Sequence, residues 1–184
     1  MNIVQKVESK VNRTIKQFSL VSGKERILCA VSGGKDSTAV LHILNKKFDR
    51  VQAITIDASI GGYSKKNLEN VKLFCSDEDI RLHVVSFGKE FGYSLCYIRS
   101  VLKSNGYNMT SCAICGVLKR YLLNKKAREL NATALATGHN LDDEAQSILM
   151  NLLRGNIELL AKLGPKSGSI SSRSFVPRIK PLFL

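Results

Sequence analysis

Ser32-Gly33-Gly34-Lys35-Asp36-Ser37 is a stretch of this 184-residue chain built to hold a phosphate. Two adjacent glycines let the backbone approach an anion and turn its N–H groups inward. A helix starting after the loop adds the partial positive charge of its N-terminus. Ser32, Ser37 and Lys35 add side-chain donors. The spacing is not the G-x-x-x-x-G-K-[ST] of a Walker loop. A plain glycine turn is the bland alternative, and the polar hexapeptide between a strand and a helix weighs against it.

Cys112-Ala113-Ile114-Cys115-Gly116 is a second chemical signal, placed before a helix that carries Lys119 and Arg120. Helix N-termini with cations nearby are where thiolates, the nucleophilic and metal-binding form, are stabilised. Three uses stay open on these residues alone. One is half of a zinc site, although no second Cys or His pair stands at the usual spacing. Another is a thioredoxin-like redox pair. The third is a sulfur-handling or iron–sulfur site. Cys29, Cys75 and Cys96 read as small packing residues, with Cys96 in a poorly defined region. His42 and His83, inside a predicted helix and strand, read as structural.

Elements must position these residues. Apolar positions 4, 7, 11, 15 and 18 predict a helix over about 3–20. Ile27–Val31 is a short apolar run with glycines after it, the pattern of a buried parallel strand. Thr38–Lys47 predicts a helix, Val51–Ile56 a strand ending at Asp57, Ser64–Asp79 a helix and Leu82–Ser86 a third strand. Residues 88–111 read as partly helical with a turn at Gly106. A helix follows over about 116–130, a strand over 132–137, and a helix over 142–154 closed by Gly155. That last helix carries one stripe of Ala145, Ile148, Leu149, Leu152 and Leu153. The Gly- and Ser-rich residues 164–175 read as a mobile tail, and Arg178–Leu182 follow. Strands alternating with helices predict an α/β, doubly wound parallel sheet, which binds ligands at the carboxyl ends of its strands. Ser32, Asp57 and Gly138-His139 all sit at such ends.

Composition narrows the function. Hydrophobic residues are 44% and charged residues 23%, so the chain can bury a core; collagen-like and coiled-coil chains are excluded. Lys plus Arg is 28 against 15 Asp plus Glu, net +13, a field that attracts polyanions. Lys119, Arg120, Lys125, Lys126 and Arg128 cluster on one segment, which Arg154 and Lys162 extend; an ordinary solvated helix face is the alternative. No long apolar N-terminal run and no stretch of membrane-spanning length is present, so a cytoplasmic chain without a membrane partner is expected.

The hexapeptide Ser32–Ser37 resembles the pyrophosphate (PP) loop of the N-type ATP pyrophosphatases, which adenylate a carbonyl or carboxyl oxygen and release pyrophosphate. That resemblance implies an adenine nucleotide alpha-hydrolase-like fold. It puts ATP phosphates on Ser32, Gly33, Gly34, Asp36 and Ser37, with Lys35 and Asp36 among the catalytic residues and Asp36 helping to hold Mg2+. Ala30 and Asp57 would face the adenosine. Cys112–Asn124 together with Ala136–Gln146 resembles the tRNA 2-thiouridine synthetases, including the archaeal and eukaryotic wobble-uridine thiolases and the enzymes for uridine 54. Asp57 with Gly61-Gly62-Tyr63-Ser64 and Arg178–Leu182 extend the match to about residues 7–182. Asn151–Asn156 leans toward the wobble branch.

The resemblance implies an ATP-dependent tRNA sulfurtransferase that adenylates C2 of a uridine and inserts sulfur. Cys112 and Cys115 would ligate a [4Fe-4S] cluster or carry catalytic sulfur. Lys119 and Gly138 would contact ATP, and His139 the nucleotide or base. Asp142 and Asp143 would orient magnesium or the target base; carboxylates at a helix start also serve as simple caps. Implied partners are tRNA, a sulfur carrier protein or sulfide donor, and a second copy in a homodimer. The alternatives are a uridine-54 thiolase, another PP-loop adenylating ligase and a non-catalytic nucleotide- or tRNA-binding paralogue. The family's third cluster cysteine is expected beyond Arg178–Leu182, so the chain reads as an N-terminal helix (1–22) and a C-terminally shortened catalytic domain (23–184).

Overall fold

The computed structural model describes residues 2–58, 61–168 and 174–184, and only the backbone of 61–64. Its elements in chain order are α1 (Ile3–Gln17), β1 (Ile27–Ala30), α2 (Lys35–Lys47), β2 (Val51–Asp57), α3 (Gly61–Asp77), β3 (Leu82–Ser86), α4 (Phe87–Phe91), α5 (Leu95–Ser104), α6 (Ser111–Glu129), β4 (Ala134–Thr137), α7 (Leu141–Leu153), α8 (Ile157–Leu160), β5 (Lys166–Ser167) and β6 (Arg178–Ile179).

The strand order is β3-β2-β1-β4-β6-β5, parallel throughout except for β5 against β6. β1 is central because both of its faces are covered. Ile27 and Cys29 pack with Val11 and Ile15 of α1, Val40 and Leu44 of α2, and Val71 and Cys75 of α3. Leu28, one residue out of phase, packs on the opposite face with Phe87, Leu95, Ile114 and Leu122 of α4, α5 and α6. A strand buried on both faces must read as a continuous apolar run, and Ile-Leu-Cys-Ala does. Cys29 and Cys75 lie in the core as packing residues, whereas Cys96, expected to pack like them, is exposed on α5.

The helix starts follow local chemistry. Asn2 and Gln5 form a capping box on α1, and Asn140 and Asp143 form another on α7. Ser94 and Thr110 cap α5 and α6 by accepting from Tyr97 and Ala113 N–H groups.

Several expectations shift. α2 begins at Lys35, so Lys35, Asp36 and Ser37 form its first turn rather than a loop. α6 begins at Ser111, since Thr110 is the cap, and this places Cys112 and Cys115 inside the helix. α1 stops at Gln17, and the fourth strand starts at Ala134. The tail read as mobile holds β5, and Arg178-Ile179 is a strand beside β4, hydrogen-bonded through Leu135 N–H to Pro177 O at 2.9 Å. Residues 169–173 of that tail lie outside the described residues.

Candidate active site

The strand order reverses at β1. From there the sheet grows through β2 to β3 on one side and through β4 on the other, leaving a crevice at the carboxyl ends of β1 and β4. Ala30 ends β1 beside Thr137, its partner in register on β4. Ser32, Gly33 and Gly34 leave β1, and Gly138 and His139 leave β4, so the two exits meet over α2.

The glycine loop is shaped by contacts that only glycine permits. Gly33 has φ +83°, and a Cβ there would stand 2.9 Å from Asn67 O on α3. A Cβ on Gly138 would lie 2.6 Å from Ser37 N and 2.7 Å from Ser37 Cα. The chain leaving β4 therefore presses on the first turn of α2. Ser37 is buried and ties the loop together. Its Oγ accepts from Ser32 N–H at 3.2 Å, lies 3.2 Å from Ser32 Oγ, and donates to Gly34 O at 3.0 Å. Gly34 is the N-cap of α2 and supplies no side-chain cap. The first N–H groups of α2 thus lack the side-chain oxygen that caps α5, α6 and α7, and they face the crevice where an anion's oxygens could take its place. Asp36 is partly exposed on the same turn, with Lys35 Nζ 3.3 Å from its Oδ2. One carboxylate beside a phosphate cradle suits Mg2+, which keeps several waters and shares substrate phosphates. Asp57 ends β2 opposite Ser86.

Beyond β4, one acidic trio divides its roles. Asp143 Oδ2 accepts from Asn140 N–H at 3.0 Å, which is the capping role. Asp142 is exposed on the helix start. Glu144 is buried, 4% exposed, and accepts from Lys180 Nζ and from Gly164 N–H, each at 2.6 Å. Glu144 was missed from sequence, because its partner is remote in the chain; an acid buried four residues past a cap was the available signal. His139 is exposed, and its Nδ1 lies 3.0 Å from Thr137 Oγ1. Desolvation on the protein side lowers its pKa, opposed by Asp143 and reinforced by Lys180 and Arg178, so the ring is neutral at pH 7.

α6 is the crossover helix returning to β4, so its first turn lies at the strands' carboxyl edge. Ile114 is buried and Cys115 half-buried against the Leu28–Ile54–Leu135 face, whereas Cys112 is exposed. Lys119 is half-buried one turn on, next to Arg120. Asn124 Oδ1 of α6 accepts from Val176 N–H at 2.9 Å just ahead of β6, where partial desolvation and then the Arg120 guanidinium hold Arg178 below its ordinary range. Among the described residues, no group of three or more His, Cys, Asp or Glu is placed to hold a metal ion.

A glycine loop on an uncapped helix at the switch point, followed by a glycine pressed on that helix, is matched over residues 5–182 by one domain family. The chain belongs to the PP-loop domain family. The adenine nucleotide alpha-hydrolase-like sheet is therefore its fold. Among known PP-loop proteins, it is 39% identical to the tRNA-5-methyluridine(54) 2-sulfurtransferase of Pyrococcus horikoshii, over 96% of this chain and 54% of that protein. It is 36% identical to the tRNA 2-thiolation protein NcsA of Haloferax volcanii, over 96% of this chain and 59% of that one. The U34-tRNA thiolase NcsA from Methanococcus maripaludis, solved with its [4Fe-4S] cluster, superposes with TM-score 0.81 at 32% identity, covering 98% of this chain and 58% of that chain. The chain spans a little over half the length of these relatives.

Proposed function

We propose that this PP-loop chain is the adenylating domain of an ATP-dependent tRNA-uridine 2-sulfurtransferase. The observation that carries the reading is the pairing of two sites on one sheet edge: the Ser32–Ser37 cradle locked against Gly138, and the Cys112/Cys115 turn of α6. ATP would lie with its phosphates on Ser32, Gly33, Gly34 and the first N–H groups of α2, its Mg2+ on Asp36, and its adenosine toward Ala30 and Asp57. The uridine C2 oxygen attacks the α-phosphorus, and the bond to the bridging oxygen breaks, releasing pyrophosphate. A sulfur nucleophile then attacks C2, and AMP leaves with the former C2 oxygen. Lys35 on α2 and Lys119 on α6 would offset developing phosphate charge, an electrostatic contribution usually among the largest in such sites. Neutral His139 offers a hydrogen bond without competing for the phosphates as a cation would.

The cluster held by the Methanococcus relative would find two ligands here, Cys112 and Cys115, one helical turn apart. No third donor joins them among the described residues, so a cluster would be completed from outside that set, and the steps above do not run through it. A cluster supplies a site that binds and hands over sulfide. A sulfur carrier protein or sulfide donor, a tRNA substrate and a cytoplasmic setting belong to the same reading. Pairing with a second copy is supported by the exposed apolar residues of α7.

The relatives divide between uridine 54 and uridine 34, and the 39% identity to the uridine-54 enzyme favours a second reading at that position. Nucleoside analysis of tRNA after deletion of the gene tests both. Loss of 2-thiouridine from one position assigns it; undiminished 2-thiouridine at both rejects the thiolase. Cys112→Ser is expected to abolish sulfur insertion and leave ATP binding intact.

A further inference from the structure

Four of the chain's five tyrosines fall between residues 87 and 128, on α5, α6 and the connections around them. All four are at least half exposed: Tyr93 54%, Tyr97 50%, Tyr107 61% and Tyr121 57%. Tyr93 and Tyr97 stack on each other, with ring centroids 4.5 Å apart and planes at 21°. Phe91 leans on Tyr121 at 6.2 Å and is itself set edge-on against buried Phe87 at 5.6 Å. Tyr121 is thereby anchored to the core while its ring stays in solvent. On the same side of α6, Tyr121, Lys125 and Arg128 help to line a cleft of about 380 Å3.

From Phe87 to Glu129, the span of α4 to α6, the chain carries eight lysines and arginines against two acids, +6 of its +13. Glu90 is paired with Lys125 at 2.7 Å and Glu129 with Lys126 at 3.0 Å. Arg99 and Lys103 are exposed on α5, and Arg120 and Arg128 on α6. Cations alone would suit any polyanion. Flat exposed rings among cations suit a narrower class. In a duplex the base faces are covered by their own stack, whereas an unpaired strand offers phosphates and open base faces together.

We propose that the α4–α5–α6 face binds single-stranded RNA, with the Tyr93–Tyr97 stack as a platform for an unpaired base and Arg99 and Lys103 on the flanking phosphates. Naming that strand as an unpaired loop of tRNA rests on the proposed function; the platform does not.

The chain contains no tryptophan, so its intrinsic fluorescence comes from tyrosines, four of them on this face. The full chain, without ATP, is titrated with an unstructured RNA of about ten nucleotides at fixed salt. The expected result is quenching of tyrosine emission. Tyr97→Ala is expected to weaken binding by roughly 5- to 100-fold, while Tyr97→Phe retains it, because stacking needs the ring and not the hydroxyl. A duplex of equal charge should bind more weakly and ignore Tyr97→Ala. Unchanged affinity in both Tyr93→Ala and Tyr97→Ala overturns the proposal, as does a preference for the duplex. Tyrosine emission that responds to protein concentration and not to RNA also overturns it, in favour of a protein interface. Since ATP is absent, a failure here indicts the platform, whereas absent sulfur insertion with intact RNA binding indicts the proposed reaction.

Discussion

Glu144 is a carboxylate taken out of water and matched by one ammonium and one backbone N–H. Both members of its pair with Lys180 are shielded, with side chains 6% and 16% exposed. Breaking such a pair from one side leaves a buried charge without a partner, so Glu144→Gln is expected to cost about 3 kcal/mol in chemical denaturation. Changing Lys180 to Met in the same protein should recover part of that loss. Gly138→Ala forces a methyl against the Ser37 backbone; it is expected to cost roughly 1–3 kcal/mol and to weaken ATP binding, measured by calorimetry. Thiol chemistry separates the five cysteines. Burial pushes Cys29 up to about 12 and raises Cys75 as well, whereas Cys96 and Cys112 are exposed. Brief alkylation of the native chain at neutral pH should label Cys96 and Cys112 and spare Cys29 and Cys75, read by peptide mass spectrometry. His139 and His83 both have pKa values lowered by desolvation. Below about pH 6.5 the unfolded chain takes up these protons and the folded chain does not, so this contribution to stability falls as pH falls through that value. Denaturation curves between pH 7.5 and 5.5 should show the loss, and His139→Gln should reduce it.

At the scale of elements, the glycine turn after β1 and the strands β1 to β4 are legible, because each is written in neighbouring residues; the Cys-x-x-Cys pair is legible as a motif, whereas its place inside α6 follows from the Thr110 cap. Two adjacent glycines between Val31 and Ser37 specify the turn locally, and both-faces burial made β1 a plain apolar run. What was not legible depended on distance. β6 is two residues long, and Arg178-Ile179 has no strand pattern of its own; it is a strand because Leu135 and Ala136 offer it a ladder. The same holds for Glu144, whose partner lies 36 residues away. The stripe on α7 was legible as a stripe, but periodicity does not say what covers it. In this chain Leu149, Leu152 and Leu153 are 58%, 60% and 79% exposed. An exposed apolar face of that kind binds hydrophobic dyes, so Leu149→Glu with Leu153→Glu should lower anilinonaphthalene sulfonate fluorescence without changing the far-ultraviolet spectrum. No increase in stability is expected to accompany it.

On the scale of the whole molecule, charge and topology meet at one edge. The strands' carboxyl ends gather the glycine loop proposed to hold phosphate, and the crossover helix α6 brings the cysteines to the same edge. The surplus of cations lies on the neighbouring α4–α5–α6 segment and not evenly over the surface. Affinity for RNA should therefore fall steeply with ionic strength, and charge removal at Arg99 and Lys103 should flatten a plot of log affinity against log salt more than removal at Lys6 and Lys10 of α1. The late strand β6 has a further consequence, for the order in which a ribosome makes the chain. β1 and β4 are 107 positions apart in register, and β6 comes later still. Until residues 178–180 emerge, β4 is an open edge and Glu144 lacks its ammonium. Removing the residues from Arg178 onward should therefore make the chain more sensitive to limited proteolysis than the same chain with Arg178–Lys180 in place.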